Sequence, residues 1–357
     1  MTDQILTEIL EEPEAVRRSI ALGRQTYHSV AERLAASGCN RIYAVGCGSS
    51  YFAGILARYA LEQFTHIPTI ATSAVDFSTY SLDSVDERAA VIGISQSGES
   101  FETVEALEKC RGRAGLLIAL TNNRDSRLAR SADISILTDA GPEKASGTKT
   151  VLTQMLAAYQ FALSLADVLG SHPKDELDRL QHELEEAHTL TAQLQSDTGA
   201  IQAAADYLKT VDNLYVVAAG PFFPLALQMT NTAREIARVH CQAFDVTEFR
   251  HGPLEILRPG TYLMLLSNSA SPLASNMAQL GELARKAGAS VSVVTDPQDE
   301  ALRSLADHYY PVPEASEHLG SILYLAGLHL VLYHWSRAKG LDPNHFENIV
   351  KTWTQAL

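Results

Sequence analysis

The sequence predicts an α/β protein with two tandem domains, each a parallel β-sheet flanked by helices on both faces. Three observations predict this fold. The chain has 357 residues, a length typical of about two domains. Short β-rich runs alternate with helical stretches, which indicates parallel sheets covered by helices. The second half of the chain also repeats the pattern of the first.

The repeat has a nearly constant offset. NRIYAVGCGSSYF at 40–52 corresponds to DNLYVVAAGPFFP at 212–224, and each reads as an apolar strand, a glycine and the start of a helix. The offset is 212 − 40 = 172. Further pairs follow in the same order, the last two with a two-residue slip: 75–77 with 247–249, 95–97 with 267–269, 120–121 with 294–295 and 132–133 with 306–307. Five matches in one order indicate a duplicated domain.

Within the first copy, five β-rich runs are separated by helical stretches such as YFAGILARYALEQF. The five runs are RIYAVG, IPTIAT, AAVIGIS, GLLIALT and ISILT. The predicted organisation is an N-terminal segment of one or two amphipathic helices, a first domain, a helical linker, a second domain and a C-terminal tail. The corresponding residues are 1–36, 37–170, 171–205, 206–340 and 341–357.

Composition and charge exclude several classes of protein. With 46% hydrophobic and 20% charged residues the chain is typical of a globular protein, and its net charge of −14 disfavours a nucleic-acid surface. Cys39, Cys47, Cys110 and Cys241 show no paired spacing, which indicates a reducing, cytoplasmic location. The acidic start does not resemble a signal peptide. Residues 319–335 are apolar but short and interrupted by polar side chains, so a buried core helix is predicted rather than a membrane span.

A cluster of hydroxyls follows the third strand of the first copy. SQSGES, residues 95–100, comes directly after the apolar run 89–94, and Gly48-Ser49-Ser50 follows the first strand. Ligands of parallel sheets bind beyond the carboxyl ends of the strands, where helix N-termini favour anions. The loop therefore predicts a phosphate site that uses no lysine or arginine. Its candidate ligands are Ser95, Gln96, Ser97 and Ser100.

The same hydroxyls have a structural interpretation. Ser100 is positioned to cap the helix FETVEALEKC, assisted by Thr103. A single serine of this kind is more typical of a cap than of a ligand. The whole cluster, facing a second loop, favours phosphate binding.

The loops do not match nucleotide or metal fingerprints. There is no GxxxxGK[ST], the segment 46–51 lacks the third glycine of a dinucleotide loop, and no acidic residue follows the second strand at the ribose position. HExxH, GxSxG and Cys/His nucleophile patterns are also missing from the sequence. We therefore expect no NAD, no ATP, no metal and no other cofactor.

The candidates for proton transfer lie in the second copy. Glu235 stands in a helix rich in alanine and isoleucine, where partial burial would raise its pKa and suit a general base. Alternatively, Glu235 pairs with Arg234 or Arg238 on a helix face. His251 opens a His-Gly-Pro turn, either as a proton shuttle or as a turn residue. The residues alone leave both alternatives open.

Together these motifs resemble the double sugar-isomerase (SIS) domain family. They are similar in particular to the isomerase half of glutamine–fructose-6-phosphate amidotransferase, also called glucosamine-6-phosphate synthase. The resemblance covers almost the whole chain, and SQSGES carries much of it. The matching motifs are CGSSY at 47–51, SQSGES at 95–100, AGPE at 140–143 with Thr148-Lys149, REI at 234–236, EFRHGP at 248–253 and NIVK at 348–351.

The resemblance implies a phosphosugar site between the two domains and a role for each matching residue. Glu235 would move a proton between C1 and C2 of the sugar. His251 would open the ring, contributed by the partner subunit of a homodimer, and Lys351 would reach the carbonyl or the amine. The residues implied in phosphate and sugar binding are Ser50, Ser95, Gln96, Ser97 and Ser100 for the phosphate, with Gly48, Ser49 and Thr148 for the sugar.

Three departures from the family pattern argue against the aminotransferase reaction. The family synthase has a lysine three positions before the glutamate, where this chain has Thr232. A serine often precedes the Thr-Lys pair, where this chain has Gly147. The chain starts MTDQ, with neither a second-position cysteine nor a glutaminase domain. Production of ammonia from glutamine is therefore not expected.

The leading hypothesis is a cytoplasmic enzyme of amino-sugar or glycated-amine 6-phosphates, either a glucosamine-6-phosphate deaminase or a fructosamine-6-phosphate deglycase. One alternative is an aldose–ketose isomerase that releases no amine. Another is a non-catalytic phosphosugar-binding regulator, although no helix-turn-helix extension is visible in the sequence. Neither a nucleic acid nor a membrane is an expected partner.

Overall fold

The computed structural model describes residues 3–349, which form two compact units. One unit consists of residues 11–188, and the other combines residues 3–10 with residues 189–348. Each unit contains one parallel five-stranded sheet. The predicted fold class, two α/β domains with parallel sheets, is therefore confirmed. The division into five segments stays a prediction.

The N-terminal segment forms three helices, where the sequence indicated one or two. They are α1 (Gln4–Leu10), α2 (Glu12–Ala21) and α3 (Arg24–Ala36). Pro13 lies in the first turn of α2, where its missing amide is tolerated. Gly23, at a φ of +79°, separates α2 from α3. These two residues divide the segment at the points where the sequence pattern alone does not show a break.

All five predicted strand runs of the first copy form strands. The strands are β1 (Arg41–Gly46), β2 (Thr69–Ser73), β3 (Ala89–Ser95), β4 (Leu116–Thr121) and β5 (Ile134–Leu137). The helices that follow α3 are α4 (Ser49–Thr65), α5 (Ala74–Asp76), α6 (Phe101–Lys109), α7 (Arg127–Ser131), α8 (Lys149–Leu169) and α9 (Lys174–Glu185). A π-helical turn, Phe77–Ser81, and a 3-10 turn, Leu82–Ser84, complete this unit.

The rest of the chain repeats this arrangement after a helical connection. The strands are β6 (Asn213–Ala218), β7 (His240–Asp245), β8 (Tyr262–Leu266), β9 (Ser290–Thr295) and β10 (His308–Pro311). The helices are α10 (Ala187–Ser196), α11 (Thr198–Leu208), α12 (Phe222–Thr232), α13 (Val246–Phe249), α14 (Ala274–Lys286), α15 (Glu300–Arg303) and α16 (Glu317–Ala338). Two further turns are the π-helical Ala233–Ala237 and the 3-10 Pro253–Ile256.

The two sheets have the same strand order. The first runs β2-β1-β3-β4-β5, and the second runs β7-β6-β8-β9-β10. Each strand of the second copy therefore occupies the place of its counterpart at the predicted offset. The duplication inferred from the sequence is confirmed.

Helices cover both faces of each sheet, so the central strands are buried along their length. All residues of β3 and β4 are buried, as parallel sheets require. Residues 319–335 lie in α16, whose side chains are almost all buried, which confirms the predicted core helix. Among the described residues, α8 is the one helix long and apolar enough to cross a membrane, and 89% of its apolar window is buried inside the protein.

Candidate active site

The predicted phosphate-binding residues lie at the carboxyl edge of the first sheet. Strands β1 and β3 are parallel neighbours, with Ala44 opposite Ile92, so the loops that follow them adjoin. The loop after β1 enters α4 at Ser49, and the loop after β3 enters α6 at Phe101. The structure therefore brings the segments 48–50 and 95–100 to one edge.

The loop 95–100 is curled by its own hydroxyl groups. The Ser95 hydroxyl donates to Ser100 Oγ at 3.2 Å and accepts from the Gly98 amide at 3.1 Å. Ser97 Oγ accepts from the Glu99 amide at 3.1 Å. Ser95 is buried, whereas Gln96, Ser97 and Ser100 are half-buried. A compact loop with accessible hydroxyls at the end of a strand is suited to hold the oxygen atoms of an anion.

The capping interpretation of the Ser100 side chain is wrong. Ser100 occupies the N-cap position of α6, but its hydroxyl makes no hydrogen bond to the first-turn amides. The reason is that Ser95 engages this hydroxyl. Thr103 also takes no part in a cap, since its hydroxyl points to Cys47 Sγ at 4.0 Å. The N-terminus of α6 therefore has no side-chain cap from Ser100, and its dipole favours an external anion.

The loop after β1 presents a backbone turn and two serines. Gly48 has a φ of +53°, in the left-handed region that favours glycine. Ser49 is the first residue of α4, and the buried Ser50 accepts a hydrogen bond from Gln154 Nε2 of α8 at 3.2 Å. Burial raises the pKa of the Cys47 thiol in the same loop. A protonated Cys47 does not suit a nucleophilic role, in agreement with the missing Cys/His pattern.

The loop before α8 brings Thr148 to the same edge. A side chain at Gly147 would start 3.5 Å from Ser49 Oγ, so this loop passes beside the start of α4. Glu143 organises it: its Oε1 accepts from the Thr148 amide at 3.0 Å, from the Thr148 hydroxyl at 3.1 Å and from the Thr150 amide at 3.2 Å. Because Thr148 and Glu143 are both buried, the carboxylate holds the turn in one conformation.

Helix α2 and its preceding residue anchor the two ends of this loop. Arg18 donates to the carbonyl groups of Asp139, at 3.2 Å, and Ala140, at 2.8 Å. Lys149, which is 1% exposed, forms an ion pair with Glu11. The sequence patterns gave no indication of a role for Arg18, Glu11 or Glu143. The only sequence signal was the AGPE…TK motif, which marks the loop without showing what holds it.

Glu235 lies in the other unit, in the π-helical turn that follows α12. Its side chain is half-buried, and Glu235 Oε1 accepts a hydrogen bond from Asn231 Nδ2 at 2.6 Å. The two arginines considered as its partners bond elsewhere. Arg234 Nη1 donates to the Cys241 carbonyl at 2.9 Å, and Arg238 pairs with Glu347 at 2.8 Å.

His251 is exposed in a turn after α13. Its amide donates to the Glu248 carbonyl at 3.0 Å, and Gly252 follows at a φ of +122°. The imidazole is therefore on the surface of its unit, as a group offered to another subunit has to be. Lys351, the third predicted catalytic residue, lies outside the described residues. Within residues 3–349, no group of three or more His, Cys, Asp or Glu side chains is placed to hold a metal ion.

The family comparison matches both copies. The model of the SIS domain matches residues 37–164 and 207–335. Among curated proteins, the isomerizing glutamine–fructose-6-phosphate aminotransferase of Thermococcus kodakarensis is 29% identical over 351 residues, which cover 98% of this chain and 58% of that protein. The enzyme of the same name from Mycobacterium bovis is 30% identical over 365 residues, covering 98% of this chain and 57% of that protein. The chain thus spans little more than half the length of these relatives.

Solved structures share the fold. The C-terminal domain of glucosamine-fructose-6-phosphate aminotransferase from Francisella tularensis gives a TM-score of 0.88 at 23% identity, covering 96% of this chain and 98% of that chain. Glucosamine-6-phosphate deaminase from Thermotoga maritima gives a TM-score of 0.74 at 19% identity, covering 98% of this chain and 99% of that chain. At these identities the structures show that the architecture is shared.

Proposed function

The chain belongs to the family of SIS domain proteins, and on that premise we propose that it is an enzyme acting on amino-sugar or glycated-amine 6-phosphates. The reaction is either deamination of glucosamine 6-phosphate or deglycation of a fructosamine 6-phosphate. The observation that carries this proposal is the division of chemistry between the two copies. The first copy holds the hydroxyl-rich loops, and the second holds the half-buried carboxylate of Glu235.

The phosphate group is anchored by the first copy. Three helices, α4, α6 and α8, begin at the carboxyl edge of its sheet, and their N-termini favour negative charge. Ser50, Ser95, Gln96, Ser97 and Ser100 supply the side-chain donors. Gly48, Ser49 and Thr148 border the sugar carbons next to this anchor. No lysine or arginine has to contact the phosphate, because helix dipoles and hydroxyl groups supply the attraction for its negative charge.

The proton chemistry is the same for both substrates. Glu235 removes a proton from C2 of ring-opened glucosamine 6-phosphate, or from C1 of a fructosamine 6-phosphate, and returns it to the neighbouring carbon. The C–N bond thereby becomes a C=N bond. Water adds to that bond and the amine leaves, so glucosamine 6-phosphate plus water gives fructose 6-phosphate plus ammonia. A fructosamine 6-phosphate plus water gives glucose 6-phosphate plus the free amine.

Two further residues complete the proposed mechanism. His251, from the partner subunit of a homodimer, opens the ring by moving a proton between O5 and the anomeric oxygen, which is O1 in glucosamine 6-phosphate and O2 in a fructosamine 6-phosphate. Lys351 binds the oxygen or nitrogen at the reacting carbons. The phosphate anchor fixes the far end of the open chain, so that C1 and C2 stay within reach of Glu235. No cofactor or metal takes part in this scheme.

The location and partners belong to the same proposal. All four cysteines are free thiols in the structure, which supports a reducing, cytoplasmic location. The exposed position of His251 supports a homodimer in which each subunit completes the site of the other. The formal charge of −14 disfavours nucleic acid as a partner.

The test is an assay of ammonia and fructose 6-phosphate from glucosamine 6-phosphate, and of amine and glucose 6-phosphate from a fructosamine 6-phosphate. Glu235→Gln should lower kcat by about 10²–10⁴-fold, the usual contribution of a general base. Phosphosugar binding, followed by thermal shift, should survive in this variant. Glu282→Gln is the matched control, because Glu282 is an exposed glutamate on α14 of the same unit.

Other outcomes point to the two alternatives. Ketose formation from an aldose phosphate without amine release identifies a simple isomerase. Saturable binding without turnover of any of these substrates identifies a phosphosugar-binding regulator. Full activity of Glu235→Gln removes this glutamate from the mechanism.

A further inference from the structure

A side-chain amide holds the proposed base. Asn231 Nδ2 donates to Glu235 Oε1 at 2.6 Å, a short bond of the kind made to an ionised carboxylate. Both side chains are half-buried, so solvent screens their interaction less than at an open surface. The two residues are four positions apart, the spacing at which side chains meet on one helix face.

The backbone here departs from a regular α-helix. Helix α12 ends at Thr232, and Ala233–Ala237 form a π-helical turn that Arg238 terminates at a φ of +53°. Such turns are rare and occur frequently at functional sites. Helix α16 packs against the turn, and Ser336 Oγ donates to the Ile236 carbonyl at 2.6 Å. Asn231, which precedes the turn, therefore bonds to a carboxylate whose own backbone segment is hydrogen-bonded to α16.

The hydroxyl nearest in sequence has a different partner. Thr232 Oγ1 accepts from Gln228 Nε2 at 3.1 Å, and both side chains are 1% exposed. Gln228 and Thr232 have the same four-residue spacing as Asn231 and Glu235, so two side-chain amides three residues apart each donate to a side chain four positions further on. The Gln228 amide bonds to a buried hydroxyl of the helix, and the Asn231 amide bonds to the Glu235 carboxylate.

We propose that Asn231 is the positioning residue of the proton-transfer step: its amide fixes one carboxylate oxygen of Glu235 and favours the ionised base. In the proposed function, this bond holds the Glu235 carboxylate in one orientation while it transfers the proton. A hydrogen bond donated to a carboxylate lowers its pKa, because it stabilises the charged form. This inference rests on the proposed function, which assigns Glu235 as the base.

The other charged or titratable groups near the turn are identifiable. Burial raises the pKa of the Cys241 thiol to about 12 and lowers the pKa of His334, so both are uncharged at neutral pH. Arg234 and Arg238 belong to the turn or end it. On the strand and the long helix packed against the turn, the titratable and charged side chains are His240, Cys241 and Asp245 of β7, and His329, Tyr333, His334 and Arg337 in the C-terminal half of α16.

The experiment replaces Asn231 in the full chain and follows the pH dependence of kcat/KM. Asn231→Leu removes the donor at similar volume, so the acid limb should move to higher pH by about one unit, with kcat about tenfold lower at neutral pH. Asn231→Asp places a second carboxylate beside the base, so its acid limb should move further than that of Asn231→Leu. Phosphosugar affinity should stay within about twofold in both variants, since the anchor is elsewhere.

Asn276→Leu is the matched control, because Asn276 is a half-buried asparagine near the start of α14. It should leave the acid limb in place. An acid limb that does not move in Asn231→Leu overturns the inference, even when kcat falls, because loss of structure alone does not shift a titration. A smaller shift in Asn231→Asp than in Asn231→Leu also overturns it.

A direct titration separates this inference from the proposed function. The carboxyl resonance of Glu235, identified by its loss in Glu235→Gln, reports the ionisation of this group without any turnover. A higher pKa in Asn231→Leu than in wild type supports the inference, and an equal pKa overturns it. Inactivity of wild-type protein towards every amino-sugar phosphate counts against the proposed function. An active wild type, an inactive Glu235→Gln and unshifted Asn231 variants count against this inference alone.

Discussion

The loops at the carboxyl edges of the two sheets have similar backbone conformations, but their polar side chains and hydrogen bonds differ. Gly48 after β1 and Gly220 after β6 have the same φ of +53°. The hydroxyl-rich loop 95–100 after β3 corresponds to 267–272 after β8. In the first copy the serine hydroxyls bond within the loop, to one another or to its backbone amides, and Ser97 and Ser100 stay half-exposed.

In the second copy, the corresponding donors are used by the protein itself. The Ser269 amide donates to Asp296 Oδ2 at 2.6 Å, and Asn268 Nδ2 donates to the Ala315 carbonyl at 3.0 Å. Gly98, which is buried in the first loop, corresponds to the exposed Ala270. A duplicated loop can therefore keep its place in the fold after its donors have acquired internal partners.

The long helices beside the two edges, α8 and α16, begin with residues of opposite charge. Helix α8 begins with Lys149, and α16 begins with Glu317. A side chain at Gly220 would start 3.6 Å from Glu317 Oε1, so this carboxylate lies over the loop that corresponds to Gly48-Ser49-Ser50. An anion at the second edge would meet a carboxylate, which supports the proposal that phosphate binds at the first edge.

Among substitutions that test this difference between the two edges, Gly98→Ala is expected to have the largest effect on stability and binding. The added Cβ would lie 2.1 Å from Ser126 Oγ and 2.9 Å from Thr121 Oγ1, at a residue with a φ of +67°. Ser126 is fully buried and caps α7, so the loop has to move. We expect a loss of about 3 kcal/mol in the free energy of unfolding, together with loss of phosphosugar binding. Urea unfolding and thermal shift with ligand measure the two effects.

Ala270→Gly is the reciprocal change. Because Ala270 is exposed, this substitution should change the free energy of unfolding by less than about 1 kcal/mol. Equal changes in the free energy of unfolding for Gly98→Ala and Ala270→Gly would show that the two loops are packed equally tightly, contrary to the structure.

An intermediate effect is expected from Ser97→Ala. Loss of one hydrogen bond to a charged phosphate should weaken phosphosugar binding by about 1–2 kcal/mol, roughly tenfold in Kd. The corresponding substitution Ser269→Ala should leave Kd within about twofold. Isothermal titration with a hexose 6-phosphate measures both, and similar losses would contradict the assignment of phosphate to the first edge.

The smallest effect is expected from Glu317→Gln, as a function of pH. Burial raises the pKa of Glu317 above its usual value, although a hydrogen bond with Ser271 opposes the shift. The folded protein therefore holds this proton more tightly than the unfolded chain, and stability falls as the pH rises through that raised pKa. Glu317→Gln should slightly raise Tm at pH 7–8 and have no such effect below pH 4. A Tm difference that is independent of pH would contradict this.

The fold was predictable because its signals are local and repeated. RIYAVG and AAVIGIS are apolar runs bounded by turns, and each forms a strand of the expected parallel sheet. The offset of 172 residues then extended the assignment to the second copy. The break between α2 and α3 was missed, because Gly23 in a polar segment has no effect on the apolar periodicity.

The sequence predicts the residues of the candidate site, but it does not predict the contacts between them. The sequence placed Ser95 and Ser100 in one loop, but it could not show that the Ser95 hydroxyl engages Ser100 and removes it from its helix. The amide of Asn231 was missed although its spacing from Glu235 is regular, since half-buried pairs on a π-helical turn depend on rotamers. Glu143 was missed for a similar reason: its partners become evident only when the loop is closed.

The route of the chain through the two units has a consequence for protein synthesis. Helix α1 belongs with residues 189–348, and the Ile5 amide donates to Asn344 Oδ1 across 339 residues of sequence. At about 5–20 residues per second, a ribosome needs tens of seconds to add the residues between them. Ile5 and Ile9, buried in the finished protein, stay without their final partners for that time. The unit of residues 11–188 is therefore synthesised in full before Ile5 and Ile9 of α1 meet their final partners.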